Sequence, residues 1–141
     1  MNKASYPIHK SKKDHFTLKV PIRLVNLETG QSLNLIGRID TGSDYCNFPS
    51  MISRTIGLVL DEKSLCEYGS RGISGVSIPT HKHWARIDLL DPTRTRVLRS
   101  LTLIINTLEN KEVPPLIGVK MFLDQFKMTS NFFEDILDLE W

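Results

Sequence analysis

Asp40, Thr41 and Gly42 follow one another at the end of an apolar run that begins at Leu35 and carries Arg38 just before the acid. A carboxylate at the end of a buried strand is costly unless it is hydrogen-bonded or shares a proton. A small polar residue followed by glycine gives a tight loop whose backbone amides and hydroxyl can turn back on that carboxylate. Such a loop suits an acid that polarises and activates water. The same residues also spell an ordinary Asp-Gly-type turn, so the surrounding elements have to decide between the two.

The chain has 141 residues, enough for one compact domain, with 40% hydrophobic and 24% charged residues, an ordinary soluble globular composition. A net charge of +2 is too small to imply a polyanion. Lys3, His9, Lys10, Lys12 and Lys13 cluster near the start, which reads as a solvated tail rather than a nucleic-acid arm. No apolar stretch reaches membrane-spanning length, and the N-terminus lacks the apolar core of a signal peptide. Cys46 and Cys66 therefore read as free thiols of a cytoplasmic protein, small core residues rather than nucleophiles. No cofactor, membrane or nucleic-acid partner is expected.

Residues 1–14 are expected to be a flexible basic segment, and residues 15–141 one domain. Phe16, Leu18, Val20, Ile22 and Leu24 alternate with Thr17, Lys19, Pro21, Arg23 and Val25, predicting a strand that Pro21 confines to an edge or a break. Glu28-Thr29-Gly30 is a hairpin turn, and Leu33 to Ile39 is the returning strand that delivers Asp40. Tyr45 to Phe48 is short and apolar; Pro49 and Ser50 open a brief helix that Gly57 stops. Gly69, Gly72 and Gly75 mark a mobile turn around Ile73. Long strands follow over residues 77–90 and 96–106, joined at Asp91-Pro92-Thr93. Leu116 and Ile117 form a short strand ending in Gly118, residues 119–126 have helical spacing, and Phe132, Ile136, Leu137 and Leu139 belong to terminal strands.

Three markers thus stand in order: Asp40-Thr41-Gly42-Ser43, then Gly72-Ile73-Ser74-Gly75-Val76, then Leu116-Ile117-Gly118 before a short helix. Together they resemble the retropepsin family of single-domain aspartic proteases over roughly residues 15–141. The resemblance implies a mainly β, closed-barrel acid-protease fold with one or two short helices. It implies that the first marker is the catalytic loop, the second the tip of a flap over substrate, and the third a brace behind the loop. Val119 stands where the family often has an arginine, with Lys120 next, so an arginine brace near Asp44 is not expected. The spacing between loop and brace is also longer than in compact retroviral enzymes.

Aspartic proteases are the standard example of two carboxylates sharing one proton. This chain has one Asp-Thr-Gly, so the second Asp40 has to come from a second subunit, and a homodimer acting on a peptide or protein substrate is implied. Thr41 would bond within and across the paired loops, and Gly42 would let the backbone pass close. Ser43 would donate to the carboxylate, which leans the rate profile toward acid. Arg38 shares a face with Asp40 and either lines a pocket for acidic or polar side chains or pairs with Asp44. Asp44 holds substrate backbone or forms a structural salt bridge. Asn47 and Tyr45 shape subsites, or Tyr45 simply packs. Gly72, Ile73, Ser74 and Gly75 would contact substrate from the flap.

His81 and His83 have a spacing that strands can use for metal, but no Cys or acid cluster joins them, so they read as a solvated strand and no metal site is expected. The alternative to an endopeptidase is a retropepsin-fold dimer that binds extended peptides without cutting them.

Overall fold

The computed structural model describes residues 1–13, 15–71, 75–109 and 113–141. Pro21 sits where strand pairing changes. β4 (Lys19–Val25) pairs with β5 (Ser32–Ile39) along its whole length, but its other edge pairs with β8 (Ser77–Leu90) only from Ile22 onward. The proline, with no N–H to donate, thus occupies the part of β4 that has a partner on one side only. Val20, Ile22 and Leu24 are completely buried, as the period of two requires.

Before β4 come β1 (Lys3–Pro7), β2 (His9–Lys10) and β3 (Phe16–Thr17). After β5 come β6 (Cys46–Pro49), helix α1 (Ser50–Thr55) and β7 (Leu65–Arg71). β8 is followed by β9 (Val97–Leu108), β10 (Leu116–Ile117), β11 (Lys127–Asn131) and β12 (Ile136–Glu140). The main sheet has the order β4-β5-β10-β6-β9-β8-β7, and the β4–β8 pairing brings it back on itself. The inner faces of β4, β8 and β9 contribute Ile22, Leu24, Ala85, Ile87, Leu89, Leu103 and Ile105 to one core. A second sheet, β1-β12-β11, adds Ala4, Tyr6, Leu137 and Leu139 to it.

Two expectations are corrected. Residues 3–7 are a strand, not part of a loose tail: Ala4 and Tyr6 point inward between exposed Lys3, Ser5 and Pro7, and β1 pairs antiparallel with β12. Residues 119–126 are not a helix with regular spacing. Met121 takes a positive φ of 68°, which an α-helix cannot accommodate, and only the 3-10 turn Leu123–Gln125 follows. Among the described residues α1 is thus the one α-helix.

Registers place one row of side chains across five strands. Arg38 on β5 is opposite Leu116 on β10, which is opposite Asn47 on β6; Asn47 is opposite Asn106 on β9, which is opposite Lys82 on β8. In-register partners share a face of the sheet, and Asp40, two residues beyond Arg38, belongs to that face.

Candidate active site

β5 ends at Ile39, and the next residue is held on both sides. The Asp40 amide donates to the Ile117 carbonyl (2.9 Å), which ties the acid to β10. Its carboxylate accepts two bonds: the Gly42 amide on Oδ1 (3.0 Å) and the Ser43 hydroxyl on Oδ2 (2.7 Å). The Ser43 amide closes the turn onto the Asp40 carbonyl (3.1 Å). Asp40 is half-buried, while Thr41 and Gly42 are exposed at the tip. One face of a fixed carboxylate is therefore presented to whatever approaches the loop.

Gly118 is what lets β10 lie against this loop. A Cβ there would sit 2.3 Å from the Tyr45 carbonyl oxygen and 2.8 Å from that of Ser43, both backbone atoms. Without one, the Val119 amide donates to Ser43 O (2.9 Å) and the Lys120 amide to Asp44 O (2.5 Å). The same close approach buries Cys46, whose thiol burial pushes up to about 12, an inert core group.

No family model matches the sequence, and no curated protein does either. The fold does have a solved counterpart. It is similar to the crystal structure of a retropepsin-like aspartic protease from Rickettsia conorii, with a TM-score of 0.62 and 13% identity, over 98% of this chain and 91% of that one. The fold is retropepsin-like.

In this retropepsin-like fold the expected site residues fall into two groups. Asp40, Thr41, Gly42 and Ser43 share one loop. Asp44 is exposed beside it, with Lys120 Nζ at 3.8 Å. Arg38 is exposed on the same face and makes no ion pair among the described residues, so the Arg38–Asp44 pairing is not seen and Lys120 stands at Asp44 instead. Gly75 is exposed with a φ of 79°. Gly72, Ile73 and Ser74 lie outside the described residues.

Asn47 is only 6% exposed. Its Nδ2 donates to the Tyr45 carbonyl (3.0 Å), and its Oδ1 is buried with no partner among the described residues. Two strands away on the same face, beyond Asn106, lies a residue that sequence reasoning passed over. Lys82 Nζ donates to Asn106 Oδ1 (2.8 Å) and sits 4.0 Å from the centre of the Tyr45 ring. Burial, with the Lys120 ammonium adding to it, pulls the Lys82 pKa below the ordinary lysine value, against an opposing pull from Cys66. The only signal in the sequence was its place on a long strand, and nothing local marks that position as sharing a face with Asn47.

The histidines flanking Lys82 are not simply solvated. His81 Nδ1 meets the Ser64 hydroxyl (2.8 Å) and His83 Nε2 donates to the Val59 carbonyl (2.7 Å), so both tie residues 59–64 to β8.

Proposed function

We propose that this chain is an aspartic endopeptidase of the retropepsin-like family, working as a homodimer. The observation that carries the reading is the Asp40 carboxylate. It is held by the Gly42 amide and the Ser43 hydroxyl at an exposed loop tip, in a fold similar to that of a retropepsin-like aspartic protease. The ring of strands that returns through β4 and β8 reads as the closed barrel of that family, carrying the protease domain.

Two Asp40 carboxylates, one from each subunit, would share a proton. One takes a proton from water as it attacks the peptide carbonyl; the other protonates the carbonyl oxygen, and the roles reverse as the amine leaves. Thr41, exposed at the tip, would bond across the subunit axis, and Gly42 would let the paired loops pass close. In this reading Arg38, Ser43, Asp44 and Asn47 would contact substrate on the face that carries the acid. A single acid with this geometry can bind water, but the described residues put no second carboxyl on this loop to donate the proton, and a second subunit would supply it.

The test is cleavage of denatured protein by wild type and Asp40→Asn across pH and protein concentration. The reading expects cleavage lost in Asp40→Asn and a specific activity that falls steeply on dilution, because dissociation removes the site. A wild-type dimer that binds extended peptides and cuts none would replace it with the peptide-binding reading.

A further inference from the structure

Lys82 and Asn47 are an odd pair for the covered part of a sheet. Lys82 carries a positive charge with no carboxylate within ion-pair distance among the described residues, and a second ammonium, Lys120, lies 5.3 Å from the same Tyr45 ring. Burying part of an ammonium without a counter-charge is unfavourable. Asn106 does not supply one: its Oδ1 is a neutral acceptor already shared with the Thr80 hydroxyl (3.3 Å), and its Nδ2 donates to Gly69 O (3.3 Å). Asn47 adds an acceptor that nothing among the described residues fills. Because Nδ2 is fixed on the Tyr45 carbonyl, Oδ1 is the free end. A buried acceptor without a donor costs free energy as the site stands. The charge without a counter-charge and the acceptor without a donor both lie in the row that runs from Arg38 to Lys82, on the face that carries Asp40.

We infer that the sheet face around Lys82 takes a substrate side chain ending in a carboxyl-type oxygen, glutamate or glutamine, with Lys82 donating to that oxygen at one fixed distance from the cut bond. The inference rests on the endopeptidase reading and adds a substrate class to it. A glutamine would put its C=O on Lys82, and its N–H would reach Asn47 Oδ1, buried in this structure, only once the side chains covering that atom move aside. A glutamate would use Lys82 alone and neutralise its charge. Apolar side chains would leave the charge and the acceptor as they are, and selection against a missing hydrogen bond is steeper than selection by size.

The experiment profiles cut sites in a denatured protein mixture with wild type, Lys82→Met, Lys82→Arg and Asn47→Val, each checked for folding by thermal unfolding. Glutamate or glutamine should be enriched about tenfold at one position relative to the cut. Among the cuts that Lys82→Met still makes that enrichment should be gone, and Lys82→Arg should keep it. Asn47→Val separates the two side chains: loss of the glutamine preference alone assigns the carboxamide, and no change assigns the carboxylate. A wild-type profile without the enrichment, or Lys82→Met that retains it, overturns the inference and leaves the protease reading standing. If wild type cuts nothing, peptide arrays probed with Asp40→Asn decide. Binding that prefers glutamate or glutamine and needs Lys82 keeps the Lys82 site and removes the protease, whereas no preference removes both.

Discussion

Ser43 does two things with one residue: its hydroxyl donates to Asp40 Oδ2 and its amide donates to the Asp40 carbonyl. Only the first is removed by Ser43→Ala. A hydrogen bond to a charged group contributes about 1.5–3 kcal/mol, here reduced because the loop is partly solvated. The variant should therefore stay folded, with melting close to wild type, while the kcat that the proposed endopeptidase function implies falls about tenfold for lack of a fixed carboxylate orientation. Thermal unfolding and peptide turnover measured on the same preparation would check this. A variant with unchanged kcat would show that the Gly42 amide alone orients the acid. This loop was legible from sequence, because an acid, a hydroxyl and a glycine in a row can satisfy one carboxylate with local bonds alone. Lys82 was not legible. It lies far along the chain from Asp40, and only the pairings through β9, β6 and β10 bring it to the same face.

At the scale of elements, the β8–β9 hairpin depends on one acid at its turn. Asp91 accepts from the Thr95 and Arg96 amides (2.8 Å each) and from the Thr93 hydroxyl. These bonds, the Thr93 hydroxyl first, hold its pKa down at about 2. The folded value lies below the unfolded one of about 3.9, so folding favours the carboxylate. The stabilisation is fully present above about pH 4 and is lost as pH falls toward 2. Asp91→Asn should therefore be less stable than wild type in urea at pH 6, and the gap should close near pH 2; a gap that stays constant would mean the loss is not electrostatic. Periodicity located β4, β8 and β9 well, since each buries alternate residues on one core. It misplaced residues 119–126, where Val119, Phe122, Leu123 and Phe126 have helical spacing yet the left-handed Met121 ends any helix. It also missed β1, whose inward residues are only Ala4 and Tyr6 and whose partner β12 is at the other end of the chain. No local pattern announces a strand that depends on so distant an edge.

For the whole molecule, β1 is part of the core rather than a covering. Tyr6 is 2% exposed and its hydroxyl donates to the Leu90 carbonyl (2.7 Å), so the first strand is fastened to the end of β8. Deleting residues 1–8 should cost about 3 kcal/mol or more, the scale of losing one large buried aromatic. It should lower the melting temperature by about 6 °C or more, at no less than about 2 °C per kcal/mol for a chain of this size. A truncated chain with unchanged melting would return the segment to the status of a tail. The ladder that β1 forms with β12 continues to the last residue, where Asn2 and Trp141 exchange both backbone bonds (2.7 and 3.0 Å). The two strands run in opposite directions, so the chain's ends lie side by side. A tether or fused domain on each end would leave from the same corner. Tension between them would load these bonds one at a time, opening the ladder like a zipper from Asn2 inward, instead of sharing the force along its length.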